Sequence, residues 1–278
     1  MANQNVQDIL EALRRRPLFL DGAMGTELHK RGHTQDPVLI NLSAPQDITA
    51  VHGEYLAAGA DIITANTFGA YSHKYENYVA LIEAAMENGR KAMEGYTDKW
   101  LALDFGPTGQ MLEPYGDMTE EECLEIYKNA VKAGTGKADL IIIETMMSIA
   151  ELEIAITAAK EAKLPIFATM TFNAQGRTMM GDTVASMVEN LTRLEVDAIG
   201  MNCGFGPDMY QPLANELAAL TGLPIIIQPN AGLPDEKGLY SLSPEEFAES
   251  MKTVDAQVLG GCCGTSPAHI AALVKSRG

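Results

Sequence analysis

Eight times along the chain, a short apolar run rich in β-branched residues ends in a Gly-rich or polar turn. The runs are 17–21 (PLFLD), 60–65 (ADIITA), 100–104 (WLALD), 139–144 (DLIIIE), 165–171 (PIFATMT), 197–202 (DAIGMN), 224–228 (PIIIQ) and 256–261 (AQVLGG). None alternates apolar with polar, so each reads as a parallel strand covered on both faces. Helical stretches are expected between them at 45–58, 119–134, 148–162, 183–194, 209–220, 244–253 and 267–275, the second opening on Thr-Glu-Glu-Glu, an N-cap followed by acids. Alternating strands and helices build βαβ units, and eight repeats point to an α/β fold of the closed (β/α)8 TIM-barrel type rather than a doubly wound sheet. The 278 residues fit one such barrel over 1–278, with a short leading helix at 3–16.

Charge and patterning exclude several classes. The formal net charge is −17, which repels nucleic-acid phosphates and anionic lipid, so neither nucleic acid nor membrane is an expected partner. No apolar stretch is long enough to span a bilayer, and the N-terminus lacks the pattern of a secretory signal. The chain therefore reads as non-secreted and cytoplasmic, where four cysteines are not expected to form staples.

In a barrel of this kind, chemistry sits where strands end at their C-termini. Those positions hold Asp21, Asn66, Asp104, Glu144, Asn202–Cys203, Asn230 and Cys262–Cys263. The longest irregular stretches, 26–40, 106–118 and 230–241, follow strands and are expected on the same face. Three cysteines thus converge on one barrel mouth: Cys203 past the sixth run, Cys262 and Cys263 past the eighth. Adjacent cysteines reach one point only if the backbone turns sharply, and Gly260, Gly261, Gly264 and Gly204 supply that freedom. The plainer reading is two small residues in a tight turn and an unrelated third; convergence on one face argues against it. Cys123, inside a helix, reads as a packed thiol. None of the five histidines shows ligand spacing, and each reads as solvated or satisfied; His269 is close enough to the Cys-Cys turn to support it.

Three thiolates with no fourth cysteine nearby suit Zn²⁺ at a catalytic site with one open position. Hydrolytic zinc sites more often use His and carboxylate. Thiolate ligands keep a bound sulfur electron-rich and favour alkyl transfer to it. The first loop, Gly22, Ala23, Met24, Gly25 and Thr26, exposes amides suited to a carboxylate, and Asp21 with Glu144 could hold an ammonium. Either acid could instead cap a loop. Asp104 sits beside a Gly-Pro turn, which gives it a structural explanation.

Several motifs together resemble the homocysteine S-methyltransferase family, above all its homocysteine-binding barrel in cobalamin-dependent enzymes. They are LDGAMGTEL (20–28), ITANTFGA (63–70), GPTG (106–109), IIIETM (141–146), MTF (170–172), GMNCGFGP (200–207), PNAG (229–232) and GGCCGT (260–265). The resemblance implies a zinc-dependent methyltransferase making methionine, with Cys203, Cys262 and Cys263 as ligands and Asn230 as a ligand when substrate is absent. It also implies homocysteine as the thiol, with Asp21 and Glu144 at its amino group, residues 22–26 at its carboxylate and Asn202 in the substrate site. The chain lacks an Asp-x-His-x-x-Gly signature, so no corrinoid is expected on it. A methylated corrinoid protein acting in trans is the expected donor. S-methylmethionine, S-adenosylmethionine or betaine as donor, a different small thiol as acceptor, and a non-catalytic corrinoid-interacting subunit are the alternatives.

Overall fold

In a computed structural model, which describes residues 2–236 and 238–277, the eight runs form one parallel sheet in the order β1-β8-β7-β6-β5-β4-β3-β2. Helix α1 (Ala2–Arg15) leads into strand β1 (Leu18–Phe19), helices α2 (Met24–Lys30), α3 (Pro37–Ser43) and α4 (Pro45–Ala57), and strand β2 (Ile62–Thr64). Then come α5 (Tyr78–Ala92), β3 (Trp100–Phe105), α6 (Glu120–Gly134), β4 (Leu140–Met146), α7 (Ile149–Ala159) and β5 (Ile166–Met170). The last part holds α8 (Val184–Arg193), β6 (Ala198–Asn202), α9 (Pro207–Leu220), β7 (Ile225–Gln228), α10 (Pro244–Met251), β8 (Val258–Leu259) and α11 (Pro267–Arg277).

The remaining seam, between β1 and β2, is drawn together by Asp61 N–H to Phe19 O (2.7 Å), Asp21 N–H to Ile62 O (3.0 Å) and a parallel bridge between Leu20 and Ile62. The structure is therefore the (β/α)8 barrel that the repeat implies. The Asp61 carboxylate locks the foot of this seam, accepting from Arg16 (2.7 and 2.9 Å), Lys99 (3.1 Å) and Phe19 N–H (3.0 Å).

Alternation along each strand divides the core in two. Leu18, Leu20, Ile62, Trp100, Leu140 and Phe167 fill the barrel interior, and Ile9 and Leu13 of α1 close its N-terminal end. Phe19, Ile63, Leu101, Leu103, Ile141 and Ile143 face outward into a larger cluster beneath the helices. With the bottom plugged, the C-terminal mouth is left for a ligand. No helix among the described residues is long and apolar enough to cross a membrane.

One expectation needs correction. The stretch 26–40 is not irregular, since it contains most of α2 and the start of α3, whose N-cap Asp36 accepts from Val38 N–H before a Pro in the first turn. Helix α4 follows α3 at once, with Ala44 as its N-cap and no side-chain capping bond. Helix α5 was also not anticipated. Its N-cap Asn77 makes no side-chain capping bond, so it lacks a start signal.

Candidate metal and substrate site

The site is assembled from the ends of β1, β3, β4, β6 and β8. Cys203 follows β6 directly in a left-handed conformation, φ +63°. Its N–H donates to Gln228 O (3.0 Å) at the end of β7, and its carbonyl accepts from the Tyr210 hydroxyl and Phe205 N–H. Cys262 N–H donates to Pro229 O (2.8 Å), Cys263 O accepts from Ala231 N–H (3.0 Å), and Cys262 O accepts from the Thr265 hydroxyl (2.7 Å). The loop after β7 thus lies between the cysteine loops and ties both in place. Of the neighbouring glycines, Gly204 (φ +71°) and Gly264 (φ +80°) use positive φ. Gly260 and Gly261 do not. They are needed for room, since a Cβ would lie 2.7 Å from Leu20 Cβ in the first case and 2.5 Å from Thr265 in the second.

The three Sγ atoms lie within 4.8 Å of one another, with Cys262 and Cys263 4.0 Å apart. Three sulfurs on one tetrahedral ion, each at about 2.3 Å, would be separated by about 3.8 Å. The donor set and spacing therefore fit a soft, tetrahedral cation. As thiols alone, the three share one negative charge. Cys263 is lowered to about 3 by hydrogen bonds from Cys203 and then Cys262. Cys262 is raised well above its usual range by donating to Cys203 and Cys263 and by burial. Cys203 is lowered by its bond with Cys262, but donation to Cys263 and burial outweigh this and raise it to about 11.

The cysteines open onto a cavity of about 560 Å³, lined also by Asp21, Asp104, Glu144 and Thr145. Asp21 is buried and accepts from Thr64 N–H (2.8 Å) and hydroxyl (3.0 Å). Burial, assisted by Glu144, nevertheless pushes its carboxyl up to about 8. Glu144 is raised to about 7 by burial and by Cys263. Asp104 is raised well above the carboxylate range by burial, then by Glu144 and Asp21. Two buried acids, Asp21 and Asp104, and the half-buried Glu144 in one cavity wall form a site prepared for positive charge.

The first loop has a different form from the one its glycines suggest. Met24 already begins α2, so the amides of Met24, Gly25 and Thr26 belong to a first helical turn, whose N–H groups lack helical acceptors. Gly22 passes so close to Thr265 and Tyr55 that a Cβ would lie 2.5 Å from the Thr265 hydroxyl, and Ala23 N–H donates to that hydroxyl (3.2 Å). Asn202 is fully buried behind the cavity wall. Its Oδ1 accepts from Thr145 N–H and the Thr169 hydroxyl (both 2.7 Å), and its Nδ2 donates to Thr145 Oγ1 (2.7 Å) with Cys262 Sγ at 3.9 Å. Its amide thus positions β4 and the cysteine loop. Asn230 is buried near the same loops, and its Oδ1 has no partner among the described residues.

The described histidines stand apart from the metal cluster. His269 bonds Ser266 Oγ (2.8 Å) and Leu242 O (3.1 Å), fastening the loop after β7 to α11. His52 is neither solvated nor satisfied: it is fully buried, and both ring nitrogens lack partners among the described residues.

A family model for homocysteine S-methyltransferase matches residues 18–276, from β1 almost to the end of α11. The chain belongs to the homocysteine S-methyltransferase family. Methionine synthase of Mycobacterium tuberculosis is 30% identical over 295 aligned residues, covering 95% of this chain and 25% of the relative. That of Mycobacterium leprae is 29% identical, covering 97% and 25%. This homocysteine S-methyltransferase-family chain therefore spans about a quarter of the length of the curated relatives it matches. Among solved structures, the homocysteine methyltransferase MmuM from Escherichia coli superposes with a TM-score of 0.80 at 26% identity in its oxidised form, covering 94% of this chain and 96% of MmuM. Its metallated form gives 0.78 at 25%, covering 92% and 95%. A type I 3-dehydroquinate dehydratase from Clostridium difficile, 14% identical with a TM-score of 0.54, shares the barrel alone.

Within this family barrel the cavity also holds residues that sequence reasoning gave no site role, including Gln228, Phe68 and Lys74. Gln228 was readable in principle, being the last residue of a strand. Phe68 and Lys74 lie on the loop after β2; Phe68 falls within the ITANTFGA motif (63–70), and nothing local marks Lys74.

Proposed function

We propose that this chain methylates the sulfur of homocysteine at a Zn²⁺ site held by Cys203, Cys262 and Cys263. The observation that carries the reading is the three-sulfur cluster opening onto a cavity walled by buried acids. Bound by three thiolates, Zn²⁺ would supply an open coordination position that deprotonates an incoming thiol while leaving it nucleophilic. The chain's own residues do the rest. Asp21 and Glu144 face the ammonium of the substrate. The orphan amides of Met24, Gly25 and Thr26 donate to its carboxylate, next to the Gly22–Ala23 turn. Asn202 keeps Thr145 and the Cys262 loop in register. Asn230 Oδ1, without a partner among the described residues, is available as an oxygen donor in the absence of substrate. The sulfur forms a bond to the donor's methyl carbon as that carbon's bond to its carrier breaks, the electron pair leaving with the carrier. Orientation of the two reactants within the cavity contributes to the rate.

A methylated corrinoid protein acting in trans is the donor we favour. The relatives named methionine synthase extend far beyond the matched quarter. Exposed Phe68, Met111, Tyr115, Met179, Leu233 and Leu239 on loops that follow strands offer apolar contacts to a macromolecular carrier. The full-length correspondence with MmuM favours a second reading, in which the barrel works alone on a small methylated donor such as S-methylmethionine. Zinc analysis and methyl transfer to homocysteine test both. About one Zn²⁺ per chain is expected, lost together with turnover in Cys262→Ala while the far-ultraviolet spectrum stays native. A reduced, folded chain without zinc would refute the site. Methylcobalamin accepted and S-methylmethionine refused would favour the corrinoid carrier, and the reverse would favour the second reading.

A further inference from the structure

Thr265 closes the turn that carries Cys262 and Cys263, and its side chain reaches the other loop of the site. The hydroxyl donates to Cys262 O (2.7 Å) and accepts from Ala23 N–H (3.2 Å). The cysteine turn does not depend on that hydroxyl, since Thr265 N–H already donates to Cys262 O (3.1 Å). Nor does the contact between the two strand ends, which Gly261 N–H makes with Asp21 O (3.2 Å). Ala23 does depend on it. Ala23 is the N-cap of α2, and its methyl side chain makes no capping bond. The direction of the first helical turn is therefore set by whatever holds the Ala23 backbone. Thr265 holds the N–H. The Tyr55 hydroxyl, from α4, lies 3.0 Å from Ala23 O and 3.2 Å from Thr265 O. Both side chains are fully buried, so water does not compete for these groups. A Cβ at Gly22 or at Gly261 would lie 2.5 Å from the Thr265 hydroxyl, so a glycine on each loop makes room for this one side chain.

We propose that Thr265 is a positioning residue for the substrate, whose hydroxyl fixes the first turn of α2 against the cysteine turn. It thereby sets the reach from the metal's open position to the amides of Met24, Gly25 and Thr26. A ligand that binds through its thiol at one end and its carboxylate at the other needs that span held constant, because misplacement at either end forfeits one of the two contacts. A thiol without a carboxylate uses only the metal end and is indifferent to the span. This role presupposes that the substrate carboxylate binds at the start of α2. It adds the residue that keeps this subsite in register with the cysteines.

Calorimetric binding to the zinc-loaded protein tests it without methyl transfer. The ligands are L-homocysteine and 3-mercaptopropylamine, which keeps the thiol and amine but lacks the carboxylate. Thr265→Val removes the hydroxyl at nearly constant shape, and Thr265→Ser keeps it. Tyr55→Phe loosens the same Ala23 backbone from the opposite side and decides the matter should the valine variant not fold. Thr265→Val and Tyr55→Phe should each bind L-homocysteine about fivefold more weakly, the effect of one neutral hydrogen bond. Both should bind 3-mercaptopropylamine as the wild type does and contain as much zinc. Thr265→Ser should restore homocysteine binding. Equal weakening of both ligands, lost zinc, or a serine variant no better than valine would overturn the inference, because the residue would then serve the fold or the metal. If the wild type itself bound the two ligands equally, the carboxylate reading would fall and take this role with it. If the wild type preferred homocysteine and the variants kept that preference undiminished, the carboxylate reading would stand and only the role of Thr265 would fall.

Discussion

Thr145 and Cys203 are held in left-handed backbone, φ +61° and +63°, at the ends of β4 and β6. For a residue with a Cβ that conformation costs about 1–2 kcal/mol, and for β-branched Thr145 it is unusual. Asn202 is what offsets it, by accepting from Thr145 N–H and donating to Thr145 Oγ1. Asn202→Ala would leave Thr145 N–H and the Thr169 hydroxyl unpaired in a dry interior. We expect a loss of about 2–4 kcal/mol in unfolding free energy, measured by urea denaturation, together with a lowered zinc content as the Cys262 loop loses its neighbour. A loss below 1 kcal/mol with zinc intact would show that the network is replaceable. The three cysteines were legible in the sequence because they are rare, adjacent to glycines and placed after strands. The work of Asn202 was not. It depends on which side chains face it from two other strands, and no pattern within one strand encodes that.

At the scale of elements, the strands were readable to within a few residues because each is an apolar run buried on both sides, a signal local to the run. Helices with strong caps were readable too: α6 begins with the reciprocal Thr119–Glu122 box and α10 with Ser243–Glu246. Helix α5, with no capping bond and Gly89 near its end, and the short α2 and α3 lack such marks and are stabilised by what they pack against. A Cβ at Gly89 would lie 2.6 Å from Leu101, so that glycine serves helix-to-strand contact. Gly200 in β6 serves strand-to-strand contact. A Cβ there would lie 1.9 Å from Ile226 O, a backbone atom that cannot rotate away. Gly200→Ala must therefore push β6 from β7 and carry Cys203 away from Cys262 and Cys263. The expected outcome is overpacking of about 1–3 kcal/mol, seen as a lower melting temperature, with zinc affinity falling more than tenfold in a competitive chelator titration. Wild-type zinc affinity in this variant would mean that the cysteine loops adjust independently of their strands.

Over the whole molecule, the net charge of −17 sets a background of self-repulsion that acidification relieves. The raised carboxyls of Asp21, Asp104 and Glu144 act in the same sense in the ligand-free protein, since a fold that binds protons more tightly than the open chain gains stability as pH falls. His52 acts in the opposite sense. Burial without a partner among the described residues lowers it from the ordinary histidine value of 6.5 to about 4. Below about pH 6.5 the unfolded chain takes up a proton that the folded chain refuses until about pH 4. Stability from this residue is therefore complete above that window and is lost as pH falls through it, about 3 kcal/mol in all. A raw pH profile would mix these opposing contributions, so the informative quantity is a difference. His52→Leu removes the titration and keeps an apolar side chain at the site, leaving the acids as they are. Unfolding free energies of both proteins from pH 7 to pH 4 should diverge as the medium becomes acidic, with the variant gaining about 3 kcal/mol on the wild type. The two curves should run parallel above pH 7. A constant offset across the whole range would mean that His52 is protonated as readily in the fold as in the open chain, and that its burial is relieved by a partner or by local opening.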